Sequence, residues 1–450
     1  MTFKEVVTSK RLTDFLGVGF LGLNGKDWWA VKKHFAGAFH FRALKPLVPV
    51  FHRRAQHLLR CMVDSASTGT DVEAKQWMSR LSLDILGHTM FGVDLGALPP
   101  CESEPGSDTP SLQHNLPVPD KEHRCHLSRL PGASSSPMMQ AYDCFFDSIG
   151  DVRTAMLPNY DAWPFVSRHK RCLPSSLQLL NTLILNMIDR HNRELDELDE
   201  RGDAAACADP VIGKTGHEES TTTSISPPPS TSSASHQASE EERQQHAFTE
   251  AAADAVIRNQ ARLTQYGATN LLHSMLHSVR QAANQGKPLP LSHEDLRANL
   301  LTFFIAGHDT TSSALSWALF YLASNPQVQA MLRCEVLQHS PWSEVSLQGE
   351  ETAEAKPPRE PTYDDVKPGA LPYMDAFLNE VMRCRPPLSN FLTRKASKTV
   401  NFGGYVIRKG QFVSPSIFNV HHDPKIWHDP YKFDPSRCVG GCGVRVQTWC

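Results

Sequence analysis

A mainly α-helical fold with a small β region is what this 450-residue chain predicts, on three observations. One is the long apolar pattern LRANLLTFFIAGHDTTSSALSWALFYLASNP over 296–326. Another is the recurrence of apolar residues at three- and four-residue intervals over 40–65, 73–92 and 175–199, the period of a helix with one buried face. The third is the scarcity of strand signals, the clearest being Thr399–Ile407, TVNFGGYVI.

Taken in chain order, 40–65 and 73–92 read as core helices. The stretch 175–199 ends in the charged run RHNRELDELDE, which keeps that end in solvent. Ser292-His-Glu-Asp295 reads as a capping box with Asp in place of the usual Glu or Gln, so the longest helix starts there. Over 293–324 it would reach about 48 Å at about 1.5 Å per residue. Thr399–Ile407 reads as a hairpin turning at Gly403-Gly404, and Gln411–Ser414 is expected to pair with it. Residues 99–138 and 201–245 are rich in Pro, Ser, Gly and charge. They bury too little apolar surface to offset their ordering entropy and are expected to be disordered insertions. The stretch 340–361 is expected to loop out before Pro372-Tyr373. The whole, 1–450, reads as a single domain.

The chain is 40% hydrophobic, enough for a large core. Its net charge is 45 − 48 = −3 with no basic block, which gives no footing for nucleic acid. Eleven cysteines with no C-x-x-C pair argue against a disulfide framework or a zinc ribbon and suit a reducing compartment. No signal-peptide core and no run of about 18 apolar residues is visible, so no anchor or signal is expected in this chain. His421, His422 and His428 follow no closed tetrahedral spacing, so no metal site is expected from them.

The chemistry gathers in a few motifs. Ala306-Gly307-His308-Asp309-Thr310 lies inside the long helix, where a buried acid without a partner is costly. The small pair and the polar pair together predict a helix that bulges around a ligand beside a proton route. His308 reads as a helix residue facing a neighbour or solvent. Thr310 could equally bond the carbonyl four residues back. Glu380-Val-Met-Arg383 puts an acid and a guanidinium on one helix face, where the guanidinium can grip two oxygens. Phe433-Asp-Pro-Ser-Arg437 follows after a Pro-rich turn. Upstream, Trp28 and Lys32 share a face at i and i+4, and Leu83-Asp84 to Phe91-Gly92-Val-Asp94 ends another core helix.

In this order and at these intervals, the segments resemble the cytochrome P450 family of haem-thiolate monooxygenases, from about residue 20 to 437. The resemblance implies a P450-like fold and haem as cofactor. It implies a monooxygenase that hydroxylates an apolar small molecule with O2 and electrons from an NADPH-linked reductase. Asp309 and Thr310 would relay protons, and Ala306 and Gly307 would border the oxygen pocket. Trp28, Lys32 and Arg394 would bind the haem propionates, with Lys32 standing where the family usually has Arg, so a fork becomes a point charge. Glu380, Arg383 and Arg437 would form a structural charge cluster. The family's F-x-x-G-x-x-x-C-x-G loop has no counterpart: Cys438, Cys442 and Cys450 lack that frame, and Cys438 takes the place of the aromatic residue that usually closes the preceding motif. The chain is therefore expected to be truncated at both ends. A non-catalytic relative that does not hold haem stably is the alternative, and a helical interaction protein is a third reading. A full-length relative would sit at the endoplasmic reticulum membrane.

Overall fold

Ser292 sets where the longest helix begins. In the computed structural model its hydroxyl accepts from Asp295 N–H at 3.1 Å, while Asp295 Oδ2 accepts from Ser292 N–H at 3.0 Å. This reciprocal cap satisfies two of the donors a helix start leaves over. The structure describes residues 3–6, 19, 23, 25–36, 45–67, 69, 73–99, 173–200, 271–285, 292–339, 359–390 and 393–438. The segments 99–138 and 201–245 lie outside them, Pro99 apart, as does most of 340–361.

The described helices are α1 (Gly25–Ala36), α2 (Val48–Ser67), α3 (Ala74–Leu86), α4 (Leu173–Glu200), α5 (Leu271–Asn284), α6 (His293–Ser324), α7 (Pro326–Gln338), α8 (Tyr363–Val366), α9 (Pro372–Cys384) and α10 (Ile417–His421). The strands are β1 (Phe3–Val6), β2 (Arg394–Ala396), β3 (Val400–Phe402), β4 (Tyr405–Ile407) and β5 (Phe412–Val413). The fold is thus mainly helical with a small β region.

α6 is the axis of the core. Leu300, Leu301 and Phe304 on it pack with Leu83 and Phe91 from α3 and the turn after it, with Leu180, Ile184 and Ile188 of α4, and with Leu272 of α5. The Phe91 and Phe304 rings meet at 6.1 Å, tilted by 50°, within the range of favourable aromatic pairs. Further along, Ala318 joins Leu332 of α7 and Phe377 and Val381 of α9, and Tyr321 stacks on Phe433 at 4.0 Å. A third cluster, Leu58, Met78, Leu81 and Leu98, packs against Leu315 and Leu319 between them, so one helix carries all three.

α6 does not bulge. It runs as continuous α-helix from His293 to Ser324, contrary to the expectation from its Ala-Gly pair. Its hydroxyls bond inside the helix, Thr310 to Ala306 O at 2.7 Å and Ser316 to Ser312 O at 2.7 Å. The wide turn lies next door instead: Gly87–Phe91 after α3 is π-helical and ends at Gly92 in the left-handed conformation. A Cβ at Gly87 would come within 2.6 Å of Leu95 Cγ and 2.8 Å of Val93 O. Gly87→Ala is therefore expected to cost about 1–3 kcal/mol, as overpacking against backbone does. Denaturant unfolding reads this, and an unchanged midpoint would refute it.

The sheet also departs from expectation. β3 and β4 form the hairpin with Gly403 and Gly404 at positive φ in its turn, the signature of a two-residue turn. Phe412–Val413, however, pairs with β2 in the order β1-β2-β5, not with the hairpin. The cause is Gly410, at φ 88: the chain doubles back there, its N–H donates to Ala396 O at 2.8 Å, and Ala396 N–H donates to Gln411 O at 2.9 Å.

Candidate functional site

The long helix offers two faces over one turn. At about 100° per residue, 306, 309, 310 and 313 share one side, and 308 points the opposite way. Burial follows that division. Ala306 is exposed and Asp309 and Thr310 are half-buried, while His308 is buried against α3. Gly307 does not share the open face, since a Cβ there would meet Leu86 Cδ2 at 3.1 Å. Its smallness lets α3 approach α6. The sequence grouped Ala306 with Gly307; the structure groups Ala306 with Asp309 and Thr310.

Two contacts hold that azimuth. His308 Nε2 lies 3.0 Å from Ser79 O; a carbonyl only accepts, so this nitrogen carries the proton. Ser82 Oγ donates to His308 O at 3.2 Å. Burial, first, pulls the His308 pKa down to about 4, against the Ser79 hydrogen bond, so the ring is neutral near pH 7. Neither Ser79 nor Ser82 could be found from sequence, because the partners are 229 and 226 residues away.

The same helix α3 carries a buried acid. Asp84 accepts from Ala97 N–H at 2.8 Å and Leu98 N–H at 3.0 Å, fastening the loop that follows Gly92. Burial raises its pKa to about 6 despite those two donors. An acid inside the apolar run LSLDIL was the only sequence signal for it.

The second cluster lies at the end of α9. Glu380 and Arg383 are 0% and 3% exposed and face each other through a fork: Arg383 Nε to Glu380 Oε2 at 2.8 Å and Nη2 to Oε1 at 2.9 Å. Arg383 also donates to His421 O at 2.8 Å, Pro430 O at 2.7 Å and Lys432 O at 3.2 Å. Asp434 N–H donates to Glu380 Oε1 at 2.9 Å. Arg437 Nε stands 3.5 Å from Glu380 Oε1, an ion pair rather than a hydrogen bond, and the guanidinium donates to His428 O and Asp429 O. One acid and two arginines thus collect carbonyls from the whole loop 421–432. Burial opposes charge on Arg383, but the Glu380 fork wins and its pKa is raised.

Trp28 and Lys32 meet on α1: the ammonium lies 4.8 Å from the Trp28 ring centroid and 4.9 Å from that of Trp29, a cation–π position. Arg394 opens the central strand β2 and is half-buried. His422 stacks on Phe418 at 4.1 Å, and no cluster of three metal-ligating side chains occurs among the described residues.

The family profile described as Cytochrome P450 matches residues 2–222 and 212–438. The chain belongs to the cytochrome P450 family. Its relatives include Cytochrome P450 4F5 of Rattus norvegicus, 37% identical over 202 residues, or 43% of this chain and 35% of that protein. Leukotriene-B4 omega-hydroxylase 3 of Mus musculus is 34% identical over 201 residues, covering 43% and 34% of the two chains. Cytochrome P450 3A16 of Mus musculus is 31% identical over 190 residues, covering 42% and 34%. The matched region thus spans about a third of these curated relatives.

Haem is the cofactor this family implies. Among the described residues, Lys32 on α1 and Arg394 on β2 carry the charge that carboxylates take. Three of the placed thiols, Cys61, Cys334 and Cys384, do not fit its iron. Cys61 Sγ lies 3.8 Å from Pro99 O. Cys384 sits inside the Glu380–Arg383 cluster, where burial, and then Glu380, push its thiol up to about 11, and a thiol is a poor ligand. Cys334 is exposed on α7. Cys438 is half-buried at the end of the turn Pro435–Cys438, and Cys442 and Cys450 lie outside the described residues.

Proposed function

We propose that this P450 is a haem-dependent monooxygenase that hydroxylates an apolar small molecule, using O2 and electrons from an NADPH-linked reductase. The observation that carries the reading is the open face of α6, where Ala306, Asp309 and Thr310 come together while His308 and Gly307 turn to α3. Haem, when bound, supplies the oxygen chemistry. The chain's own residues supply the setting. Ala306 leaves room beside the helix axis. The Thr310 hydroxyl, whose proton is committed to Ala306 O at 2.7 Å, keeps a lone pair that can take and pass a proton, and the Asp309 carboxyl one residue earlier is the neighbouring acid. Lys32 and Arg394 would neutralise the propionates. The name of the relative Leukotriene-B4 omega-hydroxylase 3 makes leukotriene B4 the first substrate to try. The same reading places a full-length protein at the endoplasmic reticulum membrane.

The experiment is the absorbance difference spectrum of the reduced chain with and without carbon monoxide, followed by turnover with a reductase. A strongly red-shifted Soret band together with hydroxylated product would establish the reading and would put a thiolate other than those of Cys61, Cys334 and Cys384 on the iron. Thr310→Ala is expected to keep the band and lose about 100-fold in product formation, the scale of a positioned proton donor. A soluble, helical chain with no haem band would instead establish the non-catalytic reading.

A further inference from the structure

A cleft of about 540 Å³ opens between the C-terminal half of α7 and the loop that leads into α9. That volume suits a small-molecule ligand. Met331, Pro372 and Tyr373 give it an apolar wall, and Glu335, Gln338 and His339 give it polar groups. Met331 is 55% exposed there, so its apolar surface is left largely unused by folding.

The backbone donors along this cleft are spent. Tyr373 N–H and Met374 N–H donate to the two Glu335 oxygens at 2.7 and 2.9 Å. Gly369 N–H donates to Asp375 Oδ2 at 2.6 Å and Ala370 N–H to Lys367 O at 2.9 Å, and Pro372 has no N–H to give. Acceptors remain. Each Glu335 oxygen has a lone pair beyond the one its backbone donor takes. His339 Nδ1 lies 2.8 Å from Glu335 O; it therefore carries the proton, and Nε2 is an acceptor in the neutral ring. Gln338, whose amide nitrogen donates to Cys334 Sγ at 3.2 Å, keeps its carbonyl oxygen.

The charge has the same sense. No Lys or Arg is among the described residues that line the cleft, and the end of α7 contributes the negative end of a helix dipole. The start of α9 offsets part of the Glu335 charge, but Asp434 adds to it: burial, and then Asp434 and Glu335, hold the Tyr373 phenol above its usual range. An anion would meet like charge and spent backbone donors. A neutral apolar molecule would leave the acceptors unanswered. A cationic head on an apolar body answers both walls.

We infer that the α7–α9 cleft is a binding site for a small organic ammonium, its head donating to Glu335, Gln338 and His339 and its body lying on Met331, Pro372 and Tyr373. The inference is independent of the oxidation reading, because binding is measured without turnover.

Equilibrium dialysis of the full chain near neutral pH tests it, with phenylpropylamine, phenylpropanol and phenylpropanoate as probes that set a cationic, a neutral and an anionic head on one body. The amine is expected to bind saturably and at least about tenfold more tightly than the other two, the scale of a charge-assisted hydrogen bond. Met331→Lys sets a like charge at the exposed mouth of the cleft. Glu335→Gln removes the carboxylate charge and keeps an acceptor for α9. Each is expected to weaken amine binding at least about tenfold. Thermal melting checks the fold of both, and if Glu335→Gln melts early, Met331→Lys alone decides. An amine that binds no better than the alcohol would overturn the inference. So would an amine that binds Met331→Lys as it binds wild type, since it would then sit elsewhere on the chain.

Discussion

Arg383→Ala is expected to be the most damaging single change in this chain. Removing the guanidinium leaves Glu380, 0% exposed, as a buried carboxylate held by Asp434 N–H, the longer Arg437 ion pair and a weak Cys384 S–H contact at 3.8 Å. Stripping one partner from a buried pair costs about 3–5 kcal/mol, against a total stability of about 5–15 kcal/mol. Three carbonyls, of His421, Pro430 and Lys432, lose their donor in the same step. The expected result is a sharp fall in soluble yield and, in what remains, an early unfolding transition. Arg383→Lys should rescue little, because a single ammonium cannot hold both carboxylate oxygens and the loop carbonyls at once. Arg437→Ala should cost less, about 1–2 kcal/mol, since two hydrogen bonds and a longer ion pair are at stake. Chemical denaturation of the three variants reads this order. An Arg383→Ala chain as stable as wild type would show that the fork follows from the fold and does not hold it.

The cluster also shows what a sequence can and cannot disclose. Glu380 and Arg383 are one helical turn apart, so their pairing follows from local geometry alone, and the Ser292–Asp295 cap and the Gly403-Gly404 turn are legible for the same reason. The long helix was placed at 293–324 because its apolar run is bounded by that cap at one end and Pro326 at the other. Contacts across the chain are different in kind. Nothing in the spacing of residue 79 or 82 announces that those residues grip residue 308. The pairing of Phe412–Val413 with β2 depends on a reversal at Gly410 that proximity to the hairpin obscures. The expected bulge failed because a Gly beside a hydroxyl can signal either an opened helix or a close-packed one. Leu86, the residue that decides between them, is 221 positions away from Gly307.

Asp84 and His308 should pull the pH dependence of stability in opposite directions. Both groups are buried on the α3–α6 contact, 1% exposed each. Burial raises the Asp84 pKa from 3.8 to about 6, so the fold prefers the protonated acid. Its contribution is complete below pH 3.8 and is lost as pH rises toward 6. Burial lowers the His308 pKa from 6.5 to about 4, so the fold prefers the neutral ring. That contribution is complete above pH 6.5 and is lost as pH falls toward 4. Each change is worth about 3 kcal/mol at about 1.4 kcal/mol per pH unit, and over pH 4–6 the two slopes nearly cancel. Single substitutions separate them. Asp84→Asn should leave a chain whose stability climbs as pH rises from 4 to 6, relative to wild type. His308→Gln, which keeps a donor for Ser79 O, should leave one whose stability falls over the same interval. Unfolding free energies at several pH values give both slopes, and groups elsewhere drop out of the difference from wild type. Curves for the two variants that run parallel to wild type would mean that neither group changes its protonation preference on folding, and that water or local opening relieves the burial assigned to them.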